Sequence, residues 1–243
     1  MKLYSLEQLE LEDSELSFDK NNIKKINYEI KSIYIWGLSA YFSNYIMSNC
    51  NVENLMYVDS DIYFYNNIKY VLDEINNKSI GIIRHRISPH FQKIYGDVGE
   101  YNVGIVFFKN SDSGKECLKK WRSWVYNQNN EYYKEYGTIG DQKYLELFPI
   151  LFPEQTHIID NIGHGAPWNL FYYDFENENF IIWEGKRQIF VFNHYSRFLP
   201  DFDKNSYILS ELRYDKKYSS SVYKMYDDYF DKIKKISKWF LSF

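Results

Sequence analysis

Cysteine, alanine, proline and glycine are all scarce. Of 243 residues two are Cys and two are Ala, Ala40 and Ala166, with five Pro and 11 Gly. Cys50 and Cys117 stand far apart, with no C-x-x-C spacing and no His at metal-finger distance. That excludes a disulfide framework and a zinc finger and indicates buried free thiols in a reducing compartment, a cytoplasmic setting. No internal repeat and no low-complexity linker breaks the chain. A basic excess is missing too: 29 Lys+Arg against 33 Asp+Glu leave a net charge of -4, which argues against nucleic acid as a partner. The N-terminus, Met1 to Ser5 followed by Glu7, Glu10, Glu12, Asp13 and Glu15, has neither a basic n-region nor an apolar h-region, so no signal peptide is expected. One uncharged stretch, Ser32 to Val52, is long enough to span a bilayer. Its Ser39, Ser43, Asn44, Ser48 and Asn49 recur along one helical stripe, so it reads as a core-packed amphipathic helix.

What is abundant is the aromatic ring. The 25 Tyr, 18 Phe and 6 Trp are 20% of the chain. Together with the many Ile, Asn and Lys they suggest an AT-rich coding sequence, and most read as core filling. The apolar pattern alternates between periods. Strands are expected at Lys2–Tyr4, Asn54–Val58, Ile80–Arg84, Asn102–Phe108, His157–Asp160 and Gln188–Asn193. Helices are expected near Asn22–Ser32, Ser39–Asn49, Ile68–Ile75 and Ser113–Tyr126, with another starting at Gly140-Asp141-Gln142-Lys143 and ending near Phe148. Pro149 and Pro153 should bracket a loop, and Gly163 to Asn169 should form a tight small-residue loop. Interleaved strands and helices predict an α/β class with a mostly parallel sheet flanked by helices. Charge divides the chain unevenly. Residues 204–243 carry nine basic and five acidic side chains, so a basic tail follows an acidic body of residues 1–203. In the tail Val222, Met225, Tyr226, Tyr229, Ile233, Ile236 and Phe240 recur at helical spacing among Lys232, Lys234, Lys235 and Lys238. Two readings stay open: a helix packed on its own domain, or an interfacial helix in which residues 218–243 touch an anionic membrane.

Asp59-Ser60-Asp61 directly follows the apolar strand ending at Val58. In an extended segment residues i and i+2 face one side, so both carboxylates can converge on one cation at the carboxyl end of a strand, where open α/β sheets place their ligands. With this many Asp, chance alone supplies about one D-x-D, so context must decide. The second instance, Asp201-Phe202-Asp203, follows Pro200 with no strand before it. Two adjacent oxygen donors suit Mg²⁺ or Mn²⁺; the competing reading is a turn-forming Asp pair. Other segments add chemistry. Asn102 and Gly104 interrupt an apolar strand, where Gly often marks close approach of backbone or ligand. Phe190 to Tyr195 is an apolar run holding His194, an available third ligand.

The ordered set of strand with D-x-D, N-x-G in a strand, G-D-Q, P-W-N and a strand-terminal His resembles the nucleotide-sugar glycosyltransferases of the GT-A fold, most of all glycosyltransferase family 8 and its bacterial relatives. The similarity covers roughly Ile33 to Phe198. It implies that Asp59 and Asp61 bind the divalent metal (Mn²⁺ or Mg²⁺) with His194 completing the ligand set, Asp59 also touching the ribose. It further implies that Asn102 contacts the donor sugar or its diphosphate, that Asp141 holds sugar hydroxyls, and that Gln142 lies near the anomeric carbon, with Lys143 beside it. Arg84 and Arg86 would meet phosphate or acceptor, or else form a solvated basic edge; Trp168 would stack on an acceptor sugar or sit in the core. His85, His90, His157 and His164 receive no role. The implied activity is transfer of a hexose, with retention, from a nucleoside-diphosphate sugar such as a UDP-sugar to a glycan or glycolipid in cell-surface polysaccharide biosynthesis. The alternative is a non-catalytic nucleotide-sugar or glycan-binding module. A metal-dependent phosphodiesterase would need more than one carboxylate cluster. Enzymes of this pattern begin with a strand and helix that build the base site; only 58 residues precede Asp59, so the resemblance implies an N-terminally short version.

Overall fold

The computed structural model describes residues 4–12, 28–87, 92, 98–127, 129–137, 140–209 and 218–240. Lys2 and Leu3 of the expected first strand, His90, and most of the expected helix at Asn22–Ser32 lie outside them. The helices are α1 (Leu6–Glu12), α2 (Tyr28–Asn49), α3 (Lys69–Ile75), α4 (Asp112–Tyr126), α5 (Tyr133–Tyr136), α6 (Leu147–Leu151) and α7 (Ser220–Phe240). A first sheet takes β1 (Asn54–Val58), β3 (Ile80–Arg84), β4 (Tyr101–Lys109) and β5 (Thr156–Ile159) in the order β1-β4-β3-β5. A second takes β2 (Ile62–Phe64), β7 (Asp174–Asn177), β8 (Phe180–Trp183) and β9 (Lys186–His194) in the order β2-β9-β8-β7, with β6 (Gly163–Gly165) also on β9. β10 (Leu199–Asp201) and β11 (Ser206–Ile208) form a separate hairpin.

The α/β class with flanking helices and a C-terminal helix is as expected; the strand directions differ. β3–β5 and β6–β9 run parallel, whereas β1–β4, β3–β4, β2–β9, β7–β8, β8–β9 and β10–β11 run antiparallel. The apolar run of β4 looked like a parallel strand because it is buried on both faces. Val106 and Phe108 enter one cluster with Ala40, Cys117, Leu118, Trp121 and Phe148. Ile105 and Phe107 enter another with Val71 and Ile75 from α3, Ile159 from β5 and Val191 from the second sheet. Two-sided burial, not direction, erases the period-two signal.

Local rules account for several elements. Ser111 caps α4, its hydroxyl accepting from Gly114 N–H. Cys117, Leu118, Trp121, Trp124 and Val125 then share one buried face. Cys117 is a buried free thiol, raised above its ordinary pKa by that burial, while Cys50 is only half-buried. Pro149 falls inside α6 rather than in a loop, because the first turn of a helix needs no N–H there. The Gly163–Gly165 segment is a strand, not a loop. α2 reverses the expected stripe: Ser39 and Ser43 are buried, whereas Ile35 and Trp36 are exposed. Ser39 turns inward because its hydroxyl donates to Asp141. Among the described residues no helix is long and apolar enough to cross a membrane. α7 buries Val222, Met225 and Tyr226 against Leu170, Phe190 and Tyr195. Lys235, Ile236, Lys238 and Trp239 on the same helix are exposed.

Candidate metal and sugar-nucleotide site

The two sheets meet at Asp59-Ser60-Asp61, the connection from β1 to β2. The segment is a turn, closed by Ile62 N–H donating to the Asp59 carbonyl at 3.2 Å, and not the extended stretch expected. The carboxylates converge all the same, because β9 pairs with β2 and sets His194 opposite Ile62. Tyr195 N–H also donates to the Asp61 carbonyl at 2.8 Å. His194 Nε2 then lies 3.1 Å from an Asp61 oxygen and 3.6 Å from an Asp59 oxygen. One ligand atom from each of the three residues can be chosen with all three within 4.8 Å of one another. The two carboxylates are hard oxygen donors of the kind Mg²⁺ and Mn²⁺ take, and the imidazole is a third donor of borderline softness.

A cleft of about 720 Å³ opens over this cluster; Trp36, Tyr57, Asp141, Gln142, Trp168 and Arg197 help to line it. Each wall has a structural reason. Tyr57 lies two residues before Asp59 on the same face, and its hydroxyl donates to Asp59 at 2.6 Å. Burial first, then the neighbouring carboxylates, push that phenol far above its ordinary pKa, so it stays a donor. Burial would raise the Asp61 carboxyl, yet the bond and charge of His194 outweigh it and hold the group below its usual value. Asp141 is 5% exposed and follows Gly140, whose φ of 66° and close approach to the Trp36 ring suit only glycine. Trp121 Nε1 donates to the Asp141 carbonyl at 2.9 Å.

Burial lifts the Asp141 carboxyl to about 7; the Ser39 hydroxyl works against that and the Asp59 charge adds to it. The unfolded chain releases this proton near pH 4, roughly the free-aspartate value. Between there and about 7 Asp141 holds a proton in the folded chain that the unfolded chain has lost, so the contribution of this carboxyl to stability falls as pH rises through that window. Asp141→Asn should remove the fall. His85 and His164, whose rings burial keeps neutral, titrate in the opposite sense over the same window, so the readout is the difference between the two chains. By urea unfolding, the stability of Asp141→Asn relative to the natural chain should rise between about pH 4.5 and about pH 7.5 by a few kcal/mol, at ~1.36 kcal/mol per pH unit.

Of the residues singled out from sequence, Asp59, Asp61, Asn102, Asp141, Gln142, Trp168 and His194 border this cleft. Gln142 is committed within the protein: its Oε1 accepts from Asn102 and from Val103 N–H, and its Nε2 donates to the Val98 carbonyl. Trp168 donates from Nε1 to the His85 carbonyl at 2.8 Å and stands edge-on to His85 and His194. Arg84 and Arg86 are not brought in. Arg84 pairs with Glu100. Arg86, its side chain 1% exposed, donates to Gln188, the Asp160 side chain and the Asp160 and Ile162 carbonyls, and packs over Trp183. It is therefore neither a solvated edge nor a free phosphate ligand. In the second D-x-D, Asp201 pairs with Lys204 in the β10–β11 hairpin. His164 stacks on Phe192, and His157 meets Glu74.

Sequence reasoning missed Trp36, Tyr57, His85 and Arg197 as cleft residues. Tyr57 was within reach, since it shares Asp59's face of β1. Arg197, just past the strand-terminal His, has φ 59° and is exposed at the lip.

No protein-family model matches the chain. It is 29% identical over 198 residues to the uncharacterized YfnD of Bacillus subtilis strain 168, covering 78% of this chain and 59% of that protein. It is 32% identical over 149 residues to the uncharacterized YfnF of the same organism, covering 57% and 48%. The chain thus spans about half to three-fifths of these relatives. Among solved structures, apo mouse xyloside xylosyltransferase 1 aligns with TM-score 0.39 and 20% identity over 58% of this chain and 56% of its own. The glycosyltransferase GlyE of Streptococcus pneumoniae aligns with TM-score 0.31 and 16% identity, over 49% and 26%.

Proposed function

We propose that the chain is a metal-dependent glycosyltransferase of the GT-A type that moves a hexose, with retention, from a UDP-sugar or similar nucleoside-diphosphate donor to a glycan or glycolipid acceptor of the cell surface. The observation that carries this reading is the convergence of Asp59, Asp61 and His194 at one end of a cleft that also takes in Asp141 and Gln142. Asp59, Asp61 and His194 would hold Mn²⁺ or Mg²⁺, which when bound supplies positive charge to a leaving diphosphate. Tyr57 fixes the Asp59 carboxylate by its hydrogen bond. Arg197 brings a guanidinium to the same cleft and takes the phosphate-facing role the resemblance gave to Arg84 and Arg86. Asp141, with a pKa lifted to about 7, offers either a donor or an acceptor to a sugar hydroxyl near neutral pH. Among the described residues Asp59, Asp61 and His194 are the one cluster suited to a metal, which favours this reading over a phosphodiesterase with two carboxylate clusters.

The test is a panel of UDP-sugars and other nucleotide sugars with Mn²⁺, followed by chromatography for transfer or slow donor hydrolysis. Turnover of any member supports the enzyme. Tight binding by calorimetry without turnover would instead make it a binding module.

The same reading places the enzyme in the cytoplasm, against the inner face of the membrane through α7. Because Val222, Met225, Tyr226 and Phe230 are buried, deleting residues 218–243 would open the core; charge reversal is the cleaner test. Lys235→Glu with Lys238→Glu should weaken sedimentation with phosphatidylserine vesicles by at least ~10-fold, on the scale of about 1 kcal/mol per lysine, while transfer to a soluble acceptor stays unchanged. Equal vesicle binding would confine α7 to its packing role.

A further inference from the structure

Asn102 sits where family resemblance expects a sugar or diphosphate contact, yet it is only 8% exposed and both ends of its amide are engaged within the protein. Its Oδ1 lies 2.9 Å from Gly104 N–H and 3.2 Å from His194 Nδ1. Its Nδ2 lies 3.1 Å from Gln142 Oε1 and 3.2 Å from His85 Nε2. The amide's orientation follows from chemistry. A backbone N–H can only donate, so the atom facing Gly104 is the oxygen and the NH₂ faces the other way.

The two imidazoles are then determined in turn. His85 Nδ1 is 2.9 Å from the Gly99 carbonyl, an acceptor, so Nδ1 carries the hydrogen and Nε2 receives one from Asn102. Burial keeps this ring neutral, pushing its pKa down to about 4. His194 Nδ1 faces the Asn102 oxygen, again an acceptor, so it too carries a hydrogen. When the ring is charged both nitrogens carry hydrogens and Nε2 donates to Asp61; when it is neutral Nδ1 keeps its hydrogen and Nε2 presents a lone pair toward Asp59 and Asp61. Left to themselves, two carboxylates beside Nε2 would favour a hydrogen there, which blocks a ligand position.

The backbone is shaped for this arrangement. Pairing of β3 with β4 jumps between Ile82 and Ile83, from Val106 to Asn102, so residues 103–105 have no partner in β3, although Ile105 still pairs with Val58 of β1. That frees Gly104 N–H to meet the Asn102 side chain, while its carbonyl accepts from Asp59 N–H at 2.9 Å. A Cβ on Gly104 would lie 2.6 Å from Asn102 Oδ1 and 2.9 Å from His194 Nδ1, so glycine is required for the two side chains to meet.

The geometry points to Asn102 as a positioning residue, backed by His85 and given room by Gly104, that holds the neutral His194 imidazole in the Nδ1–H tautomer with Nε2 open toward Asp59 and Asp61. The inference rests on the proposed cation site for its purpose, but its first readout needs neither cation nor substrate. Metal-ligating histidines depend on such partners for orientation and tautomer.

Protein labelled with ¹⁵N-histidine and followed by NMR over a pH series should show, for the neutral form of His194, a pyrrole-like Nδ1 and a pyridine-like Nε2, assigned by the loss of its signals in His194→Gln. Asn102→Leu should shift the hydrogen to Nε2. Mn²⁺ affinity, followed by the electron paramagnetic resonance of free Mn²⁺, should fall ~10–100-fold in Asn102→Leu, the usual range for such partners. Asn102→Asp keeps acceptor oxygens for Gly104 and His194 but loses the donors to Gln142 and His85; it should retain the Nδ1–H tautomer and recover most of the Mn²⁺ affinity lost in Asn102→Leu. A pyridine-like Nδ1 in the natural chain overturns the inference, as does an Asn102→Asp variant that folds but matches the loss in Asn102→Leu. Absence of Mn²⁺ binding in every variant would sink the cation reading, and the NMR assignment would still decide the role of Asn102.

Discussion

Asp61→Ala should lower Mn²⁺-dependent sugar transfer, or donor hydrolysis, by roughly two to three orders of magnitude, on the scale of removing one preorganised electrostatic group from an active site. The expectation follows from what the side chain does. Asp61 is one of two carboxylates facing His194 Nε2, at 3.1 Å, and its loss leaves only one carboxylate and the imidazole in the cluster. Fold should survive, because the turn is held by main-chain bonds from Ile62 and Tyr195 that the substitution leaves in place. The internal control is Asp203→Ala in the second D-x-D, which lies away from the cleft in the exposed connection between β10 and β11 and should leave rate and Mn²⁺ dependence unchanged. Equal rates for Asp61→Ala and the natural chain at saturating donor would remove the metal role.

Trp121→Ala should be the most destabilising single change in the first core. The ring is fully buried, stacks on Phe108 with centroids 6.0 Å apart and meets Phe148 edge-on at 6.1 Å. Truncation of such a side chain costs about 3–5 kcal/mol. It also deprives the Asp141 carbonyl of its donor at 2.9 Å. Urea denaturation should therefore show a lower midpoint with little change in slope. At temperatures where the variant is still folded, turnover should also drop, since the indole fixes the segment that carries Asp141 and Gln142. Trp121→Phe, which keeps most of the ring and loses the donor, separates the two effects. Full turnover in a folded Trp121→Ala chain would show that core and cleft are independent.

Much of the site was legible because its residues sit at strand ends, where apolar runs give way to polar side chains. Asp59 and Asp61 follow β1, and His194 closes β9; both runs are readable without tertiary information. Pairing was not. Nothing local says that β1 lies against β4 in antiparallel sense, because a strand buried on both faces carries no alternation to betray its direction. Arg84 and Arg86 looked available because sequence shows charge but not the Gln188, Asp160 and Trp183 environment that consumes Arg86. Ser39 looked like part of a solvated stripe for the converse reason: its partner, Asp141, lies 102 residues on. Trp36 passed unnoticed because an aromatic in so aromatic a chain has no contrast.

The pairing of β2 with β9 brings Ile62 beside His194, and this has a kinetic consequence. Contacts between residues so remote in sequence carry a greater loop-closure cost than nearer ones, by about 0.6 kcal/mol per doubling of the loop, and form later when nearer pairings compete. β1, β3, β4 and α4 draw on the middle of the chain and can assemble first, with both aspartates already on the end of β1. Only when β9 docks does the imidazole arrive. A refolding population should therefore regain most of its helix and first-sheet signal before it regains any cation affinity, and a slow or failed docking of β9 would leave a well-packed first sheet with an incomplete cation site.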